Sequence, residues 1–372
     1  MQITIERSAL LKALAHVTGV VERRSTIPIL SNVLLRAEGA ELTLTATDLD
    51  IEVVEHIPAM VTQPGGTTLQ AVILHDIVRK LPDGAQLELS RTGDDSQMNV
   101  VSGKARFALQ ALAPDDFPSV NAGDMTHSFE LEAKDLKRLI EKTQFAISTE
   151  ETRFYLNGIY LHAAEGKDGP VLRSVATDGH RLAQVEMPLP EGAAGIPGVI
   201  VPRKTVTELR KLCENDELKM KIELSESKIR LSTDGLKLTS KLIDASFPDY
   251  DRVIPKDNDK QMSVSNTEFA AAVDRVSTLS TDKGRAVKLI ISKDQLTLSV
   301  TNPDSGSAEE QIAVQYDNDP LEIGFNARYL LDISSQVESD VMNFLMSDPG
   351  APTMVRDGSD ETALYVLMPM RV

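Results

Sequence analysis

Three stretches of this chain end alike: Leu42-Thr43-Leu44-Thr45-Ala46-Thr47-Asp48, Leu172-Arg173-Ser174-Val175-Ala176-Thr177-Asp178 and Leu296-Thr297-Leu298-Ser299-Val300-Thr301-Asn302. In the first and third, apolar residues alternate with polar ones, as in a half-buried β-strand. Thr47 and Thr177 stand 130 residues apart, and Thr177 and Thr301 stand 124 apart. One third of 372 residues is 124, so the spacing reads as three copies of one unit filling the chain.

The flanking sequence keeps the same order in each copy. A strand precedes each stretch, at residues 32–35, 157–161 and 287–291. Further upstream, a short strand leads into an amphipathic helix, predicted over 8–17, 134–145 and 267–279. A second helix follows, predicted over 71–81, 203–213 and 327–337. Leu74, Ile77, Val78 and Leu81 form one apolar stripe, as do Leu10, Leu14 and Val17, and Phe269, Val273 and Val276. The first two copies close on Asp116-Phe117-Pro118-Ser119-Val120 and Ser246-Phe247-Pro248-Asp249-Tyr250, and the third on Tyr365-Val366-Leu367-Met368-Pro369-Met370-Arg371. The pattern predicts an α+β fold of three similar domains, each with two helices packed on antiparallel sheets. The expected domains are 1–125, 126–253 and 254–372, with polar linkers near 121–124 and 255–259.

Composition bounds the function. Hydrophobic residues make up 41% and charged residues 26%, which excludes wholesale disorder. No stretch is apolar for long enough to span a bilayer. The start, Met1-Gln2-Ile3-Thr4-Ile5-Glu6-Arg7, has no signal-peptide pattern, so a cytoplasmic protein is expected. Cys213 is the single cysteine, which rules out an intramolecular disulfide. The net charge of −17 argues against a surface that grips DNA everywhere. Locally the balance differs: the middle domain has 19 basic against 21 acidic residues, the first 10 against 16, and the third 10 against 19.

Laid out on this repeat, the sequence resembles the bacterial DNA sliding clamps, the beta subunits of DNA polymerase III, over essentially its full length. The pieces that carry the resemblance are Thr26-Ile27-Pro28-Ile29-Leu30, Tyr155-Leu156-Asn157-Gly158, Ala176-Thr177-Asp178-Gly179-His180-Arg181-Leu182-Ala183, Val201-Pro202-Arg203-Lys204, Phe247-Pro248-Asp249-Tyr250, Glu322-Ile323-Gly324-Phe325-Asn326 and Met368-Pro369-Met370-Arg371. The resemblance implies a head-to-tail homodimer closing a ring around duplex DNA. It implies no chemistry, no metal and no cofactor. The implied partners are DNA, held topologically without sequence preference, the replicative polymerase and the clamp loader through a shared peptide groove, and other repair or replication proteins. No membrane is implied.

Three residue sets follow from it. The groove carries over to Leu156, Thr177, Gly179, His180, Arg181, Leu182, Pro248, Arg252, Val253, Asn326, Tyr329, Val366, Met368, Pro369, Met370 and Arg371. Leu, Val and Met suit apolar peptide anchors, and methionine adapts to different partners. The competing reading places Leu182, Val253 and Val366 in ordinary core. The DNA-facing set combines carry-over (Arg24, Arg153, Phe154, Tyr155) with cationic helix faces: Arg79, Lys80, Lys137, Arg138, Arg203, Lys204 and Arg210. Phe154 reads equally as a stacking platform or as a core strand residue. The ring joint carries over to Phe107 and Leu109 against Thr278 and Leu279, with Arg106 expected to pair with Glu309 or Glu310.

Rival functions leave weaker marks. Asp178 and His180 could be an orienter and a general base, but no nucleophile motif accompanies them. Asp48 and Asp50 share a face without a third ligand, so a strand-end turn is the expected role. No glycine-rich phosphate loop occurs. An acidic peptide-binding scaffold that never encircles DNA is the stronger rival.

Overall fold

The computed structural model describes residues 1–22, 26–91, 96–120, 123–280 and 285–371. The expected helices form within a few residues of their predicted ends: α1 Arg7–Thr18, α2 Ala71–Lys80, α3 Ala133–Gln144, α4 Arg203–Leu212, α5 Asn266–Ser277 and α6 Ala327–Ser334. Side-chain caps fix several starts. Glu6 accepts from Ala9 N, Ser265 from Glu268 N and Asn326 from Arg328 N, each satisfying a first-turn donor. The sixth helix stops three residues before the predicted end. There the Asn266 amide donates to Ser334 O (3.1 Å) and Val337 O (3.3 Å), taking carbonyls that a longer helix would use.

The apolar stripes are the core. Leu10, Leu14 and Val17 are buried, as are Leu74 and Val78, and Phe269, Val273 and Val276. The strands alternate as read: Leu42, Leu44 and Ala46 point inward, and so do Leu296, Leu298 and Val300.

Contacts gather the chain into two compact units. The first comprises Met1–Leu136, Pro190–Pro197 and Lys204–Leu242 and holds a 13-stranded sheet. In it, Leu236–Lys241 pairs with Ile51–Pro58, so Glu52 faces Thr239. The second comprises Lys137–Leu189, Gly198–Arg203 and Ile243–Val372 and holds an eight-stranded and a four-stranded sheet. In it, Arg181–Pro188 pairs with Ala363–Leu367, so Leu182 faces Val366. Each of these ladders joins strands from two neighbouring repeats. No helix among the described residues is long and apolar enough to cross a membrane.

Asp357 secures the loop after α6. It accepts from Glu338 N (2.7 Å), Ser339 N (3.2 Å) and Ser359 N (2.9 Å). Burial alone would raise its pKa, but these hydrogen bonds outweigh burial and hold the carboxyl below the ordinary 3.8. A carboxyl depressed by folding adds stability above its unfolded pKa and loses it as pH falls. Asp357→Asn is therefore expected to flatten the stability loss below about pH 4. Urea midpoints against pH test this, and an unchanged acid limb would remove Asp357 as its source.

Candidate peptide-binding site

The site begins at a turn. Strand Gly169–Thr177 ends on Thr177 and Asp178, and the chain folds back into Arg181–Pro188. The Thr177 hydroxyl donates to Arg181 O (2.6 Å) and accepts from Gly179 N (3.1 Å). The Asp178 carboxylate accepts from His180 N (2.9 Å) and Arg181 N (3.1 Å). Gly179 has a φ of +87°, and a Cβ there would lie 2.5 Å from the Arg153 guanidinium. The first repeat builds the same turn: Thr47 donates to Ile51 O (2.8 Å), and Asp48 accepts from Asp50 N (2.9 Å) and Ile51 N (2.7 Å). In the third, Asn302 accepts from Asp304 N (2.9 Å) and Ser305 N (3.3 Å). Asp178 also pairs with Arg181 Nε at 3.1 Å, so it orders a turn and its strand rather than a catalytic histidine.

Behind this turn lies an apolar cavity of about 200 Å³. Nine of the sixteen expected groove residues line it: Leu156, Thr177, Gly179, Arg181, Leu182, Pro248, Val253, Val366 and Met368. Leu182 and Val366 are each 2% exposed, so the core reading describes them as well as the groove reading does. Val253 and Met368, at 46% and 40%, are not core. Sequence reasoning missed Asp249 and Tyr250 and assigned Arg153 and Tyr155 elsewhere; all four line this cavity. Their signal was available, since Asp249 and Tyr250 follow Pro248, and Tyr155 precedes Leu156.

The other expected residues lie apart. His180 and Tyr329 line a polar hollow of about 370 Å³ that shares Arg181 with the apolar one. Arg181 donates to Asp332 Oδ2 (2.6 Å) and Phe145 O (2.6 Å), and its guanidinium lies 4.3 Å from the Tyr329 ring centroid. Pro369, Met370 and Arg371 line a third hollow, of about 620 Å³, beside Gly324. Met370 N donates to Gly324 O at 2.8 Å. Arg252 and Asn326 line none of the three. Arg252 pairs with Asp249 (2.7 Å), and Asn326 is spent capping α6.

Comparison with known proteins now decides the family. Models of the DNA polymerase III beta subunit match in order: its N-terminal domain over residues 1–121, its central domain over 130–249 and its C-terminal domain over 251–371. The beta sliding clamp of Caulobacter vibrioides (strain NA1000 / CB15N) is 52% identical over 372 residues, covering all of both chains. That of Escherichia coli (strain K12) is 38% identical over 373 residues, again with full coverage. The solved sliding clamp of Bartonella birtlesii bound to griselimycin is 55% identical, with a TM-score of 0.96 over the whole of both chains. This chain belongs to the beta sliding clamp family. Its function is that of a DNA-encircling processivity clamp for DNA polymerase III, on a three-domain clamp fold.

Two of the cations expected to face DNA are tied into the fold by their side chains. Arg138 donates to Asp360 Oδ2 and the Thr362 hydroxyl, both at 2.6 Å. Lys204 reaches Asp48 Oδ2 (2.5 Å) and Val20 O (2.9 Å). These two charges are engaged within the fold. Arg79, Lys80, Arg203 and Arg210 are exposed, with Arg79 also 3.1 Å from Asp76, and Lys137 is half-buried. Arg153 is held by Glu150 at 2.8 Å. Phe154 is 53% exposed in a 3₁₀ segment, Glu151–Leu156, so it is not a core strand residue. Arg24 lies outside the described residues.

Of the expected joint residues, Arg106, Phe107, Leu109, Glu309 and Glu310 sit on two strands with open edges, and Thr278 and Leu279 on the turn that ends α5. Among the described residues, Ala105–Leu112 pairs along 105–110 on one side only, and Gly306–Ala313 ends its sheet. Phe107, Leu109 and Leu279 are half-buried, and Arg106, Thr278 and Glu309 are exposed. Glu310 is already gripped by Arg275 (2.9 Å) of the same chain, so it is not the open partner expected for Arg106.

Arg181 ties the turn, α6 and the end of α3 together, and removing it strands Asp178 and Asp332. Arg181→Met is expected to cost about 3 kcal/mol of unfolding free energy. Arg181→Lys should recover only part of that, because the two-pronged fork is lost. A wild-type urea midpoint for Arg181→Met would show that the network carries no energy.

Proposed function

We propose that the apolar cavity is the docking site for short linear peptides of replication and repair proteins, the polymerase and the clamp loader among them. The observation that carries this is the cavity itself: a buried floor of Leu182 and Val366 under a mouth of exposed Val253 and Met368. An isolated apolar hollow with exposed aliphatic lips accepts Leu or Phe anchors. Arg181 and Asp249 offer polar contacts beside it, while His180, Arg252, Asn326, Tyr329, Pro369, Met370 and Arg371 extend the groove outward. The chain acts by holding partners and performs no catalysis, and it works in the cytoplasm.

DNA passes the helix cations Arg79, Lys80, Lys137, Arg203 and Arg210, with Arg24, Arg153, Phe154 and Tyr155 as further contacts. Such phosphate contacts carry no sequence information and weaken with salt, which suits sliding. Domains 1–125, 126–253 and 254–372 supply three similar segments of the ring. The open edge of Ala105–Leu112 meets that of Gly306–Ala313 in a second copy, with Phe107 and Leu109 against Thr278 and Leu279. A head-to-tail contact of this kind is heterologous and closes only in a ring.

Two experiments test this reading. Loaded on nicked circular DNA, the protein is expected to stay bound until the DNA is linearised and then to slide off. Phe107→Asp should shorten retention on the circle. Retention on linear DNA with unblocked ends would refute encirclement and favour the scaffold reading. In a fluorescence titration with a Leu/Phe-anchored peptide, Val253→Asp is expected to weaken binding at least about tenfold, since a carboxylate must desolvate at the mouth. Equal affinity would place the peptide elsewhere.

A further inference from the structure

One wall of the apolar cavity is held from behind by a polar chain. Tyr250 lines the cavity and packs with Leu182, Leu364 and Val366. Its hydroxyl lies 2.9 Å from His162 Nε2 and 3.1 Å from an Arg173 guanidinium nitrogen. Arg173 is anchored on Glu186 Oε2 at 2.8 and 3.0 Å. On the far side, His162 Nδ1 lies 3.0 Å from Ala163 O. A carbonyl can only accept, so Nδ1 carries the proton and Nε2 of the neutral ring is an acceptor. Arg173 can only donate. The Tyr250 hydroxyl therefore accepts from Arg173 and donates to His162, and every donor from Arg173 to His162 has one direction. The His162 ring is also stacked on Tyr160 (4.5 Å), and Tyr160 on Phe247 (4.8 Å).

We propose that His162 and Arg173 are positioning residues for partner peptides: together they pin the Tyr250 hydroxyl so that its ring keeps the cavity in shape, and protonation of His162 releases it. This rests on reading the cavity as the peptide site. A protonated His162 offers no lone pair at Nε2. Tyr250 would then face two donors with no acceptor for its own proton, and the bond that fixed its hydroxyl to His162 is lost.

The surroundings set where this happens. His162 is faced by Arg173 from the neighbouring strand, with Glu186 behind it. Tyr250 and Asp251 face it from the Tyr250–Arg252 segment, and Tyr160 from its own strand. Burial is the largest influence and lowers the His162 pKa from the ordinary 6.5; the bond to Ala163 O opposes, Arg173 adds to the lowering, and Asp251 opposes. The neutral ring therefore prevails at neutral pH, and the pin opens only on the acid side of that value.

The test is a fluorescence titration with an end-blocked Leu/Phe peptide that has no ionisable side chain, at about pH 7.5 and about pH 5. Wild-type protein is expected to bind about fivefold more weakly at the lower pH, the size of one ordinary hydrogen bond. Tyr250→Phe keeps the ring and loses the hydroxyl; it should bind at the weaker level with little change between the two pH values. His162→Gln keeps an acceptor that does not titrate and should bind tightly at both. Unfolding midpoints of each variant confirm that it is folded. Absence of peptide binding by wild-type protein at either pH would overturn the peptide reading itself. Tight wild-type binding with the same pH response in Tyr250→Phe and His162→Gln would overturn the pin alone.

Discussion

The apolar cavity depends on one antiparallel ladder, that of Arg181–Pro188 against Ala363–Leu367. It brings residues almost two hundred positions apart in sequence into register and sets Leu182 opposite Val366. A slip of one residue would exchange the two faces of either strand and take Leu182 or Val366 out of the cavity, so the cavity exists only in this register. Both ends are fixed by side chains. The Thr177 and Asp178 turn starts the first strand, and Glu186 N donates to Thr362 O (3.0 Å) just before the second. Arg138 holds Asp360 and Thr362 at that same point. A helix cation that sequence pattern alone would assign to DNA thus holds the end of the ladder beneath the apolar cavity.

The same ladder recurs in the other compact unit with different chemistry. Glu52 stands 130 residues before Leu182, and Val120 the same distance before Tyr250. Glu52 faces Thr239 across its ladder, and its carboxylate accepts from Val120 N at 3.0 Å. Burial raises the Glu52 pKa, and the bond from Val120 opposes that rise. Where the second unit has an apolar floor and a pinned aromatic, the first has a carboxylate tying down the chain at Val120. One backbone plan therefore carries an apolar hollow in one place and an internal fastening in the other, with Leu182 and Glu52 at the corresponding positions.

The helices, the alternating strands and the three strand-end turns were legible in the sequence because each is a local pattern. Leu42, Leu44 and Ala46 need only a period of two, and Asp48 and Asp178 accept from backbone two and three residues ahead. Half of the groove was legible through resemblance, since Leu182, Pro248 and Met368 sit in quoted motifs. The partners of the charges were not. Arg138 meets Asp360, Lys142 meets Glu338, and Lys204 meets Asp48, all across long stretches of chain. Periodicity reports which face of a helix is wet and says nothing about what waits there. For the same reason Tyr250, Arg173 and His162 could not be joined before the fold was known.

The net charge of −17 changes meaning in this light. A total counts every ionised group equally, whereas attraction to a phosphate depends on cations that the fold has not already neutralised. Arg173, Arg181 and Lys142 are largely buried and answer to Glu186, Asp332 and Glu338. Those pairs cancel in the sum and shape the protein without reaching DNA. An exposed cation such as Lys80 acts over about one Debye length, roughly 8–10 Å in physiological salt. Acidic groups farther away are screened over the same distance, so a negative total is compatible with a locally cationic helix face. A clamp that holds DNA by encirclement gains nothing from tight phosphate contacts, because each one adds a barrier to sliding. A few screened cations within a predominantly acidic protein are what that mechanism requires.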